Sequence, residues 1–533
     1  MKKLILLVTL FSAFFLPLYA QQYQISDVIY DIEGCGAPIF GRTQYYALTK
    51  EAPVDTKRVF EDKDELELYL KDYEKRLNNL RAFESITIEY VSQEQEEKTE
   101  EITEETICNV ILKVWVKDSF HLFAIPGPKY DSNTGLTFKL KIKDSNFLGT
   151  LNTLSSDFYI LIPTKESDGT STEFGFNCSA DYPFKAGIFD AVWLNDFGIS
   201  YTIGDSMPEF NIRTGIRFIL PFERTSLIIE TNQRFVNNFS FKQYDDNLYF
   251  VNDLKLSVPL IITKMNYFGN LYYTPYSSAS VNWDFDGISK QNSSLSSPVM
   301  TVGHALSFGR TDWSQNLRTG FSLSLDNYYT YNFQRKRLYP LLELNTQVFK
   351  KFDLIEDSYF LRDFGICADL HCFTFLFNPK TDQYINDDGK AIGSYLRGIR
   401  DSQIYEVNGQ ETNISSLHPT SAFILNLDLP FHLFTTNFTK GFMRYCNFEM
   451  QLSPFIDLAL CYNKITQTFF DPKDGFYAGG LEVIVYPLKW SGITIRGSVG
   501  IDVGRKFLSN YINMDWRESV SKKEFSIGFG LHY

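Results

Sequence analysis

The chain has 533 residues, of which 16% are aromatic, including 48 Phe and 32 Tyr, and its formal net charge is -13 at pH 7. This acidic balance argues against nucleic acid as a partner, because phosphate binding needs clustered lysine and arginine. A mean hydropathy of -0.18 is compatible with a soluble protein or with a β-barrel, whose lipid-facing and lumen-facing residues alternate. Seven cysteines, an odd number, argue against a complete disulfide framework.

Residues 1–20 have the pattern of a cleaved secretory signal. Two lysines precede an apolar stretch from Leu4 to Leu18, and Ala20 stands before the predicted cleavage point. Beyond this signal, no stretch reaches the roughly eighteen apolar residues of a membrane-spanning helix. We therefore expect an exported chain that is either soluble or a β-barrel.

Residues 21–120 are predicted to form a small α+β domain. A first strand runs from about Ile25 to Gly34, and the clearest helix runs from about Lys63 to Leu80. Alternating apolar residues at 86–90 and 110–116 predict two strands that form a hairpin beneath this helix. The apolar face of the helix has side chains three or four residues apart: Leu66, Leu70, Tyr73, Leu77 and Leu80.

Three further features of this domain are left open by the sequence. Asp62 or Asp64 is expected to cap the start of the helix. A shorter helix around residues 45–48 is poorly defined. Cys35 and Cys108 could form a disulfide bond, but the distance between them cannot be read from the sequence.

Residues 121–132 are predicted to be an extended linker, because Pro126, Gly127 and Pro128 disfavour a helix. From residue 133 to 533, aromatic-rich segments alternate between apolar and polar residues, as in strands with one lipid-facing side. Leu136, Phe138 and similar residues are interleaved with Thr and Lys. A soluble β-sandwich is a rival fold, but it would seldom sustain this alternation over about 400 residues.

The longest polar loop, about residues 378–419, gives the barrel a reference point. The sequence from 133 to 375 leaves room for about eleven strands before this loop, and about five follow it, so a barrel of about sixteen antiparallel strands is predicted. If the loop is extracellular, the tight connection at 488–490 falls on the periplasmic side. The five later strands are expected at about 421–434, 446–462, 478–487, 491–504 and 524–533.

Several of these features resemble the superfamily of outer-membrane insertases and two-partner secretion transporters, which includes the bacterial surface antigen family. The element order of residues 21–120 is similar to that of a polypeptide-transport-associated (POTRA) domain. The run Leu396-Arg397-Gly398-Ile399 resembles the plug-loop signature x-Arg-Gly-Phe/Tyr, with Ile399 in place of the aromatic residue. The segment from Phe525 to Tyr533 resembles the carboxy-terminal signal of outer-membrane barrels, which usually ends in Phe or Trp.

The resemblance implies a partner for the plug-loop arginine. In the superfamily this arginine pairs with the carboxylate of a Phe-x-Asp-x-Gly pattern on a wall strand. Here the run from Phe455 to Ala459 stands two strands beyond the loop, with alanine in place of the final glycine. Strand alternation independently directs Asp457 into the lumen. We therefore expect Arg397 and Asp457 to latch the loop, with Glu482 as a further inward carboxylate that could share this role.

The closing strand has a second predicted role. Gly528 and Gly530 weaken strand pairing, because glycine has no side chain to pack. In the superfamily the seam between the first and last strands opens for client proteins, which implies a weak seam between 134–146 and 524–533, with Phe525 and Tyr533 on its closing side. Equally, the two glycines could make space in the lumen.

The sequence contains no recognised catalytic motif, so we expect neither an enzyme nor a cofactor. Cys367 and Cys372 flank His371, but their odd spacing places them on opposite faces of a strand, and no metal site is predicted. The resemblance implies a protein of the bacterial outer membrane, with its POTRA domain in the periplasm, that inserts or translocates polypeptides. Its partners would be unfolded outer-membrane or secreted polypeptides, outer-membrane lipid, and periplasmic chaperones or lipoproteins. A dedicated two-partner secretion transporter and a passive porin are the alternatives.

Overall fold

The structure, a computed structural model, divides into two compact units after Asp118. Among the residues that it describes, no helix is both long enough and apolar enough to cross a membrane. The predicted signal at 1–20 and the predicted terminal residues Gly530 and Tyr533 lie outside the described residues. The described residues are 21–35, 42–92, 107–131, 135–163, 171–238, 247–265, 267–285, 287–288, 296–355, 358–376, 389–390, 392–399, 404–407, 410–413, 419–463, 467–490, 494–512, 518–519 and 523–529.

The first unit is a four-stranded sheet with two helices. Its elements in chain order are β1 (Tyr23–Glu33), α1 (Tyr45–Glu51), β2 (Val59–Phe60), α2 (Lys63–Asn79), β3 (Phe83–Ser92) and β4 (Cys108–Asp118). The strand order is β2-β1-β4-β3, with β1 parallel to β4 and β3 antiparallel to β4. The predicted strand, long helix and hairpin are confirmed, and the poorly defined helix is α1.

The core of this unit lies between α2 and the sheet. Four side chains of α2 (Leu66, Leu70, Tyr73 and Leu77) and four of β4 (Val110, Leu112, Val114 and Val116) are buried, as their spacing predicted. The Tyr73 hydroxyl lies 3.1 Å from that of Tyr30. Burial raises the pKa of both phenols, so both stay neutral at physiological pH and can share this hydrogen bond. Cys35 and Cys108 are not bonded to each other.

The structure selects Asp62 as the cap of α2. Its carboxylate accepts a hydrogen bond from the backbone N–H of Glu65 at 2.7 Å. We expect Asp62→Ala to destabilise the first turn by about 1 kcal/mol, and hydrogen exchange there to accelerate about fivefold in the full-length protein. Asp64→Ala removes the same charge without a cap and is the matched control. Equal acceleration in both variants would assign the effect to charge instead of capping.

The second unit contains a closed barrel. Its strands in chain order are β5 (Leu122–Asp131), β6 (Gly135–Asp144), β7 (Leu154–Ile162), β8 (Glu173–Ala186), β9 (Phe189–Thr202), β10 (Glu209–Pro221), β11 (Ser226–Asn237), β12 (Leu248–Ser257), β13 (Leu260–Thr263), β14 (Leu271–Asp284), β15 (Gly287–Ile288), β16 (Val299–Ser314), β17 (Leu317–Asn332), β18 (Arg337–Asp353), β19 (Asp363–Phe375), β20 (Ile404–Val407), β21 (Gln410–Asn413), β22 (Ser421–Asp428), β23 (Phe431–Thr435), β24 (Phe448–Asn463), β25 (Thr468–Phe469), β26 (Phe476–Pro487), β27 (Ile495–Asp502), β28 (Glu518–Ser519) and β29 (Lys523–Phe529). A short helix, α3 (Val503–Phe507), follows β27. All of these strands except β20, β21 and β28 form the barrel, and those three pair in a separate small sheet.

The two sides of the barrel wall differ in polarity. Charged residues such as Asp457 and Glu482 are fully buried on the inner side. Large apolar side chains alternate with the inward ones and are between 38% and 62% exposed on the outer side, among them Phe138, Leu140, Phe158, Ile160, Ile212, Ile456 and Val499. This arrangement has the polarity of a barrel that faces lipid on the outside.

The predicted linker at 121–132 was wrong. Strand β5 occupies most of it and pairs antiparallel with β6 from Leu122 to Asp131. Prolines in a sheet are confined to edges, strand starts and irregularities, and β5 lies at the point where the chain closes the barrel, next to β29. The seam partner of the last strand is therefore β5, not the predicted segment 134–146.

The barrel also has more strands than predicted. The described residues contain eighteen barrel strands of seven residues or more, whereas about sixteen were expected. One of the two extra strands is β5, and the other arises because hairpins before the loop are tighter than assumed. Gly187 and Ile188 alone connect β8 to β9. After the loop, the five predicted strands are confirmed as β22 with β23, β24, β26, β27 and β29.

Candidate functional site

The predicted plug loop connects β19 to β22, and part of it packs against the inner side of the barrel wall. At its base, the Phe375 N–H donates to the Thr420 carbonyl at 2.8 Å. A turn of 3-10 helix at Gly393–Tyr395 leads into the four motif residues, Leu396 to Ile399. All four are buried, and even Arg397 is only 7% exposed. The motif thus belongs to a segment of the loop that the barrel encloses.

The structure brings Arg397 and Asp457 together as the sequence predicted. The Arg397 Nη2 and Nε donate to the two oxygens of the Asp457 carboxylate at 2.7 and 3.0 Å. The backbone N–H of Arg397 donates to the same carboxylate at 2.8 Å. Three hydrogen bonds, two of them from a bidentate guanidinium, fix the position of this residue against β24.

Asp428 is a second carboxylate partner that the sequence reasoning missed. It lies at the end of β22, is fully buried, and accepts from Arg397 Nη1 and Nη2 at 2.7 and 3.1 Å. The signal was available in the sequence, since Asp428 has the parity opposite to the apolar residues Phe423, Leu425 and Leu427 of its strand. One guanidinium therefore connects the loop to two wall strands, β22 and β24.

Two further side chains complete the contacts of Arg397. The Phe455 ring lies beneath the guanidinium, with 3.7 Å between the Arg397 Cζ and the ring centroid. This distance permits a cation–π interaction. The Asn426 side-chain amide donates both to the Tyr395 carbonyl and to Asp457, at 2.7 and 2.8 Å. Asn426 thus bridges the loop backbone and the carboxylate that holds the loop.

Glu482 contributes charge to this cluster but makes no hydrogen bond to the described residues of the loop. Its carboxylate lies 4.0 Å from Arg397 Nη1 and 3.3 Å from Arg496 Nη1. Its predicted place in the lumen wall is therefore correct, but Arg496 is its nearer partner. Together, three buried carboxylates face two arginines, so the cluster depends on both arginines for charge balance.

Gly398 allows the loop backbone to touch the wall backbone. Its φ is +92°, and a Cβ there would lie 2.6 Å from the Ile501 nitrogen. A Cβ on Gly500 of β27 would in turn lie 2.7 Å from the Gly398 nitrogen. The glycine of the signature and a wall glycine are therefore in mutual close contact. The sequence reasoning did not identify Gly500.

Ile399, at the position where the signature that this loop resembles has an aromatic residue, is fully buried. It belongs to an apolar cluster with two other loop residues, Ile392 and Leu396, and with residues of the wall. The wall residues of this cluster are Leu341, Phe373, Ala422, Ile424, Ala459, Cys461, Phe476 and Ala478. Ala459 stands where the superfamily has glycine, so the two departures from the pattern occur in one cluster.

We expect Ile399→Phe to overpack this cluster and to destabilise the seated loop by about 1–3 kcal/mol. Faster proteolysis within the loop of the folded protein would report the effect. The double variant Ile399→Phe/Ala459→Gly should recover part of the loss, since it restores both residues of the superfamily pattern. A double variant as sensitive as the single one would contradict this compensation.

The loop makes a second set of contacts with the wall that do not involve Arg397. Lys390 of the loop forms an ion pair with Glu343 on β18. The Tyr395 ring stacks on His371 of β19, with 4.6 Å between centroids and 13° between planes. His371 also hydrogen bonds to Asn345. The histidine that the sequence presented only as a neighbour of two cysteines therefore packs against the loop.

The predicted seam residues are described only in part. Gly528 pairs with Arg496 of β27, and Phe525 is 61% exposed opposite Val499. Since Arg496 contacts Glu482 in the lumen, this register puts Gly528 on the lumen-facing side of β29. Gly528 therefore faces the lumen. This position is the one required by the alternative in which the glycines make space there.

No protein-family model matches the sequence, and no match is found among curated proteins. Similar solved structures include CdiB from Acinetobacter baumannii, at 12% identity and a TM-score of 0.45, over 95% of this chain and 73% of that chain. BamA from Haemophilus ducreyi lacking POTRA domains 1-3 is similar at 11% identity and a TM-score of 0.37, over 95% and 85%. CdiB from Escherichia coli is similar at 8% identity and a TM-score of 0.37, over 96% and 90%. These proteins are members of the superfamily that the sequence resembles.

Proposed function

We propose that this protein is an outer-membrane barrel that inserts or translocates polypeptides, with the plug loop as its gate. The observation that carries the proposal is the single guanidinium of Arg397, which joins a loop inside a closed barrel to carboxylates on two wall strands. A buried ionic cluster adds little net stability, but it can hold a loop in one defined position against the wall, which we call its seat. Breaking it releases the loop without unfolding the barrel strands, as a gate requires.

The first unit supports the same proposal. Strand β3 is at the edge of its four-stranded sheet, so no described strand pairs with one row of its backbone N–H and C=O groups. An unfolded chain can add to such an edge as an extra strand, because backbone pairing needs no particular side chains. We propose that this unit is a POTRA-like domain in the periplasm that captures polypeptides before they reach the barrel.

The decisive experiment is depletion of the protein followed by quantitative proteomics of the outer membrane and the medium. Loss of many outer-membrane proteins would support an insertase, and loss of one secreted protein would support a two-partner secretion transporter. A passive porin predicts steady conductance in planar bilayers and no change in other proteins. The latched loop favours the first two outcomes, since a porin needs no releasable loop seat.

A further inference from the structure

A second region of the lumen wall has open space and unused hydrogen-bonding groups. The contacts of the plug loop described above lie on strands β18 to β27. A separate cavity of about 550 Å³ lies against the wall formed by β7 to β12, β14 and the start of β16. Its polar lining includes Tyr159, Asn177, Ser200, Asn211, Arg234 and Asn237.

Two glycines leave room for side chains that line this cavity. A Cβ on Gly175 would lie 2.0 Å from the Tyr159 ring, and a Cβ on Gly198 would lie 2.9 Å from Asn177 Oδ1. Side chains of the neighbouring strands therefore lie across the two glycines. Strand register places Gly198 between Asn177 and Asn211 on adjacent strands. The sequence thus sets two carboxamides on either side of a position without a side chain.

The polar groups of the cavity are only partly satisfied. In the part of the chain that the structure describes, the side chains of Asn177 and Asn211 are exposed and make no hydrogen bond, so they are accessible to a ligand. Asn237 is 1% exposed, and its Nδ2 donates to the Pro208 carbonyl at 2.7 Å while its Oδ1 has no partner. A buried acceptor without a partner normally costs free energy, unless a ligand or water completes it.

Two charged side chains line the cavity, Arg234 and Glu209, and both have partners. Arg234 donates to Asp253 at 3.0 Å, and on the neighbouring strands Arg217 donates to Glu230 at 2.7 Å. Of the described lining residues, neither charged side chain is therefore left free for a charged ligand. The groups left for a ligand are neutral carboxamides, and each of these offers both donors and an acceptor.

We infer that this cavity is a binding site for the main chain of an extended polypeptide. An extended chain presents one N–H and one C=O per residue, and these groups need partners where water is confined. Carboxamides can satisfy both groups whatever the side chains of the cargo are. The inference rests on the proposed function, because it takes an unfolded polypeptide as the cargo, and it adds where the lumen holds that cargo.

Fluorescence anisotropy tests the inference with the full-length protein in nanodiscs and labelled, reduced and carboxymethylated lysozyme as an unfolded probe. The double variant Asn177→Ala/Asn211→Ala removes the two free carboxamides and should weaken binding about tenfold. Gln233→Ala is the matched control. It removes a carboxamide from β11 that is not among the residues lining the cavity, and should leave affinity unchanged. Retention of the barrel's heat-modifiable migration would verify folding.

Two results would overturn the inference. One is equal affinity of the wild type and the double variant, or no binding of the probe to the wild type. The other is binding of a dextran oligosaccharide that is lost in the double variant and that competes with the probe, which would make the cavity a saccharide site. Equal affinity of the wild type and the double variant would leave the proposed function standing, because capture at β3 does not use these residues, and depletion proteomics tests that function separately.

Discussion

Replacing Arg397 with alanine is expected to release the plug loop while the barrel still forms. The substitution removes four side-chain hydrogen bonds and leaves Asp428 and Asp457, both fully buried, without their cation. Removing one member of a buried ionic cluster costs about 3–5 kcal/mol. The strands of the barrel are paired independently of Arg397, so this cost should destabilise the bound position of the loop and not the barrel. Transport should be impaired with it.

Three measurements check this expectation. Limited proteolysis should cleave the loop faster, planar-bilayer recordings should show more frequent open events, and heat-modifiable migration should show a folded barrel. Arg397→Lys keeps the charge but loses the bidentate geometry, so it should be intermediate. Arg444→Ala removes an exposed arginine from a turn of the barrel and should behave as wild type. Wild-type transport with unchanged protease sensitivity in Arg397→Ala would refute the latch.

A charge-matched variant separates the latch from the cost of unpaired carboxylates. In Arg397→Ala/Asp428→Asn/Asp457→Asn, the buried negative charges are removed together with the guanidinium. We expect this variant to recover the thermal stability that Arg397→Ala loses, because the uncompensated charges are gone. The loop should still be sensitive to protease, because no side chain replaces the bidentate contacts. Recovery of both properties would show that Arg397 only balances charge.

Much of the barrel was predictable because its signal is local. Alternation with period two identified the five strands after the loop and assigned the inward face of β24, where Phe455, Asp457 and Ala459 are buried. Features that depend on contacts between distant segments were not predictable. The prolines at 126 and 128 suggested a linker, but pairing with β6 and closure next to β29 make the segment a strand.

Only part of the functional site was predictable, because local patterns mark some of its residues and contacts between distant segments mark the others. Arg397 and Asp457 could be joined because a sequence pattern marks each of them, whereas Asp428 is marked only by the parity of its strand. Glu482 was correctly placed in the lumen, but its nearer cation is Arg496, which only the register of β26 with β27 reveals. The contacts of Lys390 with Glu343 and of Tyr395 with His371 lie on side chains that no local pattern distinguishes.

Gly398→Ala is the second substitution from which we expect a large effect. The added Cβ would lie within 2.7 Å of backbone atoms of both Gly500 and Ile501, which cannot move without disturbing β27. The positive φ of +92° adds conformational strain for any residue with a side chain. Together these effects should cost about 2–5 kcal/mol. The loop should therefore leave its seat although Arg397 is still present.

Gly204→Ala is the matched control, since Gly204 also has a positive φ, +109°, but a Cβ there would meet nothing within 4 Å. It should show the strain alone, as a small loss of stability with a protected loop. Gly500→Ala adds a Cβ to the same contact from the wall side, and it should expose the loop as Gly398→Ala does. Because one contact is lost in both, the double variant should be little worse than either single variant. Fully additive losses in protease protection would mean that the two glycines act at separate places, and the close approach of loop and wall would not be what seats the loop.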